Sequence, residues 1–242
     1  MQNDLKAEFD LFNNYYSMFD NTNPNIRLKY DHTIRVVDYA KDIAINEKLS
    51  YEDLLMATKC ALFHDIARFK QIRDYNTFED AKSFDHGDEG YNVLKELGVL
   101  DPTILLSTKY HNKKNVPDEI DDKTKIFCNI TRDADKLDII ATQCFTCDEV
   151  VIPEDVIDSF KNHTLVKNNP NYENNNAFHI FRMIAFIFDM NYERSLEIIK
   201  NTNIIQDKFN LLRSASTDER EINIINELEL ICNKYIDERI SD

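Results

Sequence analysis

A chain of 242 residues, 43% of them hydrophobic, can bury one large core, and its formal net charge of −15 argues against a surface for duplex nucleic acid. It holds three glycines, Gly87, Gly90 and Gly98, too few and too scattered for a phosphate-binding glycine loop or a dinucleotide fingerprint. A small phosphorylated ligand stays compatible with this acidity, because a bound metal reverses the charge locally.

The five cysteines, Cys60, Cys128, Cys144, Cys147 and Cys232, are odd in number, and the opening MQNDLKAEFD is polar and acidic. Both features read as a reducing, cytoplasmic setting. The run MIAFIF (183–188) is too short to span a bilayer, so no membrane partner is expected.

Taken in order, residues 4–19 repeat Leu5, Phe9, Phe12, Tyr16 and Phe19 at helical spacing. After the loop NTNPN, a second helix is predicted from about Tyr30, with His32 in its first turn and Ile34, Val37, Ala40, Ile43 and Ala44 facing inward. Ser50 reads as an N-cap, with Asp53 three residues on. Its helix carries Leu54, Leu55, Thr58, Ala61 and Leu62 on one face and leads into His64 and Asp65. Residues 70–85 read as a loop with one or two helical turns. His86 precedes a face of Tyr91, Leu94 and Leu97 that Gly98 ends. Asp101 and Pro102 open the next helix, which runs through Ile104, Leu105 and Thr108 to His111.

After a polar loop, residues 123–147 read as one long buried helix with Ile126, Phe127, Ile130, Ala134, Leu137 and Ile140 inward. Beyond Pro153 come a helix to about His163, a mobile Asn-rich loop at 167–176, an apolar helix over 177–190 and a last helix at roughly 217–239. Few turn dipeptides and little strand alternation point to an all-α fold: a core over 1–150, with a C-terminal helical extension over 151–242 packed on the same domain.

Four polar residues stand out on these apolar helices: His32, then His64 and Asp65, then Asp135. A carboxylate inside an apolar run such as ALFHDIARF needs a positive partner, either Arg68 one turn on or a metal ion. Two nitrogen and two oxygen donors suit a divalent transition metal and leave positions open for water. Asp133 is the rival of Asp135, but two residues along a helix it points elsewhere and is assigned to orienting a neighbour. Cys144 and Cys147, a lone C-x-x-C on the long helix, read as core thiols, and His179 as a satisfied core histidine.

The order of a histidine, a His-Asp pair and a final aspartate in DADKLD resembles the HD-domain superfamily of metal-dependent phosphohydrolases, over residues 30 to about 140. The resemblance implies an HD-domain helical bundle that binds one or two ions of manganese, iron, zinc, cobalt or nickel. It implies hydrolysis of a nucleotide or another small phosphate ester or anhydride, with the metal acidifying the attacking water. Asp65 is then both metal ligand and catalytic group. His86 and His111 hold a second metal or a substrate phosphate, because some two-metal relatives carry histidines in that interval. Arg68, Lys113 and Lys136 are the candidates for binding the phosphoryl group.

One departure is that Arg68 stands where several HD nucleotidases carry a glutamate that moves protons. That role passes to Asp88 or Glu89, or Arg68 binds phosphate, or it forms an ion pair with Asp65. Two other functions fit the same residues: a non-catalytic metal- and nucleotide-binding module, and a di-iron oxygenase using His32, His64, Asp65, His86, His111 and Asp135.

Overall fold

The computed structural model describes residues 4–240, and among them helices are the only regular elements. The all-α expectation therefore holds. The described residues form two compact units, one ending at Asp135 and the other beginning at Lys136. No described helix is long and apolar enough to cross a membrane.

The first unit contains α1 (Lys6–Tyr16), α2 (Pro24–Asn46), α3 (Tyr51–Phe63), α4 (Arg68–Tyr75), α5 (His86–Glu96), α6 (Pro102–Tyr110) and most of α7 (Asp122–Thr142). α2 starts a turn and a half before the predicted Tyr30. Asn23 accepts a hydrogen bond from the Asn25 N–H at 2.9 Å, and Pro24 sits at the first helical position, where its missing N–H costs nothing. His32 consequently lies in the third turn rather than the first. Ser50 caps α3 as expected, accepting from the Asp53 N–H at 3.1 Å. The buried face of α2, with Val36, Val37, Ala40, Ile43 and Ala44, packs on α3. Phe12, Tyr15, Tyr16 and Phe19 from the α1 region close around Phe69 of α4.

α7 ends at Thr142, short of the predicted 147, and Ile126 is 38% exposed rather than inward. Phe127, Ile130, Ala134, Leu137 and Ile140 are buried as expected. The Ser107 and Thr131 hydroxyls meet at 3.2 Å between α6 and α7.

The second unit adds α8 (Glu154–Lys161), α9 (Asn176–Ile184), α10 (Glu193–Thr202), α11 (Ile204–Ala215) and α12 (Glu219–Ile240). The apolar helix predicted over 177–190 tightens into a 3-10 segment at Ala185–Asp189. α10 and α11 have no counterpart in the periodicity reading. They are joined through Asn203, whose left-handed φ of 55° breaks one helix and starts the next. Phe160, Phe178, Phe181 and Phe209 are fully buried in this unit.

α5 approaches α6 closely. A Cβ at Gly87 would stand 2.6 Å from the Lys109 carbonyl oxygen and 2.5 Å from Asn112 Oδ1; at Gly90 it would stand 2.7 Å from Thr108 Cγ2. These glycines let the two helices touch, which brings His86 beside His111. α5 then ends in a Schellman turn: Gly98, with φ of 82°, donates to Lys95 O at 3.1 Å and Val99 to Leu94 O at 2.9 Å. We expect Gly87→Ala to lower the unfolding free energy by about 1–3 kcal/mol despite alanine's better helix propensity, because backbone must shift to admit the methyl group. Urea unfolding checks this; a variant as stable as the parent contradicts the tight α5–α6 contact.

Candidate metal centre

Asp65 lies in the turn that joins α3 to α4, where Ile66 N–H bonds to Phe63 O at 3.1 Å and Arg68 N–H to Asp65 O at 2.9 Å. Asp65 is 4% exposed, and its two carboxylate oxygens face different partners. Oδ2 meets Lys29 Nζ at 2.7 Å, His32 Nε2 at 3.5 Å and His64 Nε2 at 3.6 Å. Oδ1 meets Arg68 Nε at 3.4 Å, with His86 Nε2 and His111 Nε2 both at 3.5 Å. Asp135 joins the first half, its Oδ1 at 3.1 Å from His32 Nε2 and 3.7 Å from His64 Nε2.

Helix ends set the orientation of three imidazoles. His64 and His111 are the C-cap residues of α3 and α6, and each turns Nδ1 back to a carbonyl three residues earlier: Ala61 O at 2.7 Å and Thr108 O at 2.7 Å. A carbonyl only accepts, so Nδ1 carries the proton and Nε2 presents a lone pair. His86, first residue of α5, donates its Nδ1–H to Asp80 Oδ2 at 2.6 Å and accepts at Nε2 from the Arg68 guanidinium at 3.2 Å. The His86 and His111 Nε2 atoms stand 3.1 Å apart with no proton between them, and those of His32 and His64 stand 3.3 Å apart.

Such contacts suit a shared cation better than hydrogen bonding. With metal–donor bonds of about 2.0–2.2 Å, donors at right angles lie about 3.0 Å apart and tetrahedral donors about 3.4 Å apart. The separations within each half run from 3.1 to 3.7 Å. Imidazoles tied through Nδ1 to carbonyl or carboxylate are the usual arrangement behind a metal ligand. His32, His64 and Asp135 converge closely enough to hold an ion, as do His64, Asp65 and His111. The donor set fits a divalent metal.

Electrostatics agree with that chemistry. Burial pushes the His64 ring away from its charged form, against the pull of Asp65 and Asp135. Burial, helped by Arg68, brings His86 down to about 4 despite Asp80. Burial alone would raise the Asp65 and Asp135 carboxylates. Their neighbours outweigh it, Lys29, His64 and Arg68 at Asp65 and His32 and His64 at Asp135, so both stay well below the usual carboxylate range. Neutral imidazoles and ionised carboxylates are the forms that bind metal.

Of the residues singled out in the sequence, His32, His64, Asp65, His86, His111, Asp135 and Arg68 come together. Arg68 is ion-paired to Asp65 and also donates to Gln71 Oε1 at 2.5 Å, Phe78 O at 2.7 Å and Asp80 Oδ1 at 3.1 Å. Lys113 pairs with Asp85 at 2.5 Å and Asp88 at 3.0 Å. Lys136 pairs with Asp189 at 2.7 Å. Asp88 thus faces lysine, as does Glu89 through Lys70. Asp133 is fully buried and is not among the converging donors. The C-x-x-C reading needs correction: α7 stops before it, so Cys144 is exposed and Cys147 half-buried, and neither is a core thiol. His179 is satisfied by Glu173 O at 2.7 Å but is only half-buried.

Four supporting residues stand outside the sequence reading. Lys29 was detectable in principle, three residues before His32 on one helical face. Asp80 and Gln71 organise the segment before α5. Gln71, fully buried, donates to Asp80 Oδ1 at 3.0 Å and Ser83 Oγ at 2.7 Å. Arg132 of α7 holds the carbonyls of Lys113 and of Lys114, the latter at 3.2 Å, and so steadies the chain just after His111. Nothing local in the sequence marks these last three.

A family model described as HD domain matches residues 30–140. Comparisons with curated proteins and with solved structures returned no match.

Asp65 touches both halves of the cluster, so Asp65→Ala is expected to abolish metal binding, and Asp133→Ala to leave more metal bound. Asp80→Ala should weaken the His86–His111 half by about 10–100-fold. Metal titration of the purified variants checks both; equal metal loss in Asp65→Ala and Asp133→Ala contradicts the assignment. The double variant Cys144→Ser, Cys147→Ser should keep its full metal content, and metal loss there would show that thiolates take part.

Proposed function

Because residues 30–140 belong to the HD domain family, we propose that this protein is a metal-dependent phosphohydrolase acting on a nucleotide or another small phosphate ester or anhydride. The observation that carries the reading is the division of labour at Asp65: each carboxylate oxygen faces two histidine Nε2 atoms and one side-chain cation. His32, His64, Asp65 and Asp135 would hold one divalent transition ion, and Asp65, His86 and His111 a second. When bound, such ions acidify water and polarise a phosphoryl oxygen.

The chain's own residues supply the rest. The Ala61 and Thr108 carbonyls and the Asp80 carboxylate hold His64, His111 and His86 in the tautomer that offers Nε2. Arg68 opposes the negative charge that builds on the phosphoryl oxygens. Its position cannot move a proton, since a guanidinium stays charged, so the exchange of glutamate for arginine there turns a negative charge into a positive one. That change favours an anionic substrate.

The test is metal analysis of the purified protein, followed by a screen of phosphorylated metabolites and generic phosphomonoesters and phosphodiesters. About two equivalents of metal are expected, falling to about one in His86→Ala and in His111→Ala, with turnover of at least one phosphate ester. One equivalent throughout would make these histidines phosphate ligands. Bound metal with no turnover of any phosphorylated compound would replace the enzyme with a binding module.

A further inference from the structure

The reading above gives Lys29 no task beyond pairing with Asp65, and it makes the shortest contact to the central carboxylate, 2.7 Å from Asp65 Oδ2. It lies one turn before His32 on α2, so the two side chains share a face. Its side chain is 12% exposed, and its ammonium stands 5.3 Å from the centroid of the Phe78 ring. The Arg68 guanidinium stands 5.9 Å from the same centroid and pairs with the other Asp65 oxygen. One buried carboxylate thus has a cation at each oxygen.

A structural ion pair needs one of them. Asp65, Asp135 and Asp80 bring three negative charges to the cluster, and Lys29 and Arg68 bring two positive ones. A single divalent ion already makes the sum positive, and a second makes it strongly so. With a metal on Asp65, Lys29 is surplus to neutralisation and positioned for an anion that bridges metal and ammonium.

We infer that Lys29 is a phosphate-binding residue of this site, placed on the His32–His64–Asp135 side to receive a phosphoryl oxygen, and that it lowers the site's affinity for metal. The inference rests on the phosphohydrolase reading. The loss of metal affinity follows from charge. An ammonium one hydrogen bond from a metal-ligating oxygen lies within about 5 Å of the ion, repels it and draws electron density from the ligand. A carboxylate behind a ligating histidine has the opposite effect.

The experiment measures manganese binding by calorimetry, then binding of orthovanadate, a tetrahedral phosphate mimic, to the manganese-loaded protein. Wild type, Lys29→Met, Lys29→Gln and Lys29→Arg are compared. Lys29→Gln keeps a hydrogen bond to Asp65 without the charge, and Lys29→Arg keeps the charge. In Lys29→Met and Lys29→Gln we expect manganese to bind roughly tenfold more tightly and vanadate roughly tenfold more weakly, with Lys29→Arg near wild type in both. Unchanged vanadate affinity in Lys29→Gln overturns the inference, and so does weaker manganese binding, which would make Lys29 a positioning residue for Asp65. Failure of manganese-loaded wild type to bind vanadate overturns the inference and leaves the metal centre standing. Failure of wild type to bind any divalent metal overturns the phosphohydrolase reading and this inference with it.

Discussion

The buried carboxylate of Asp65 governs the first unit. Taking Asp65 out of water is tolerable only if its charge is met on every side. Two cations and four imidazoles from five parts of the chain supply that: α2 gives Lys29 and His32, the end of α3 gives His64, α4 and α5 give Arg68 and His86, and the end of α6 gives His111. Each of these groups is itself costly to bury alone, so the packing of the helices and the pairing of the charges stand or fall together.

Helix ends do much of the positioning. A helix terminus leaves carbonyls or N–H groups without intrahelical partners, and a side chain that satisfies one is held in a narrow range of orientations. His64 and His111 use the same local device at the ends of α3 and α6. His86 opens α5 beneath the Asp85 cap, with Asp80 gripping its ring from the other side. Only His32 sits in the body of a helix, where packing of α2 on α3 fixes it. The segment from Phe78 to Phe84 has little regular structure of its own, but Arg68 and Gln71 tie its backbone and side chains to α4.

The local charge balance contrasts with that of the whole chain. A net charge of −15 would repel phosphate in bulk. Within a few ångströms of Asp65 the balance is close to even before any metal is counted, because Lys29 and Arg68 are concentrated there. Composition therefore says little about which ligand the centre takes; the arrangement of a few charges decides it.

Sequence alone determined the helical class, most element boundaries in the first unit and the six metal-ligand candidates, because those properties are local. Apolar periodicity, an Asn or Ser cap and the order of a few histidines and aspartates are all read within a turn or two. Even so, Asn23 and Pro24 form a helix start inside NTNPN, a stretch whose composition resembles a loop. The end of α7 before Cys144 and the split into α10 and α11 were not legible, since neither carries a Gly or Pro stop signal, and a left-handed Asn203 does not announce itself. Tertiary structure alone decided that Asp65 is shared between two halves, that Lys29 reaches it across 36 positions of sequence and that Asp80 sets the tautomer of His86. Those relations depend on which side chains distant helices bring within about 3–4 Å of one another, and periodicity along a single helix carries no information about that.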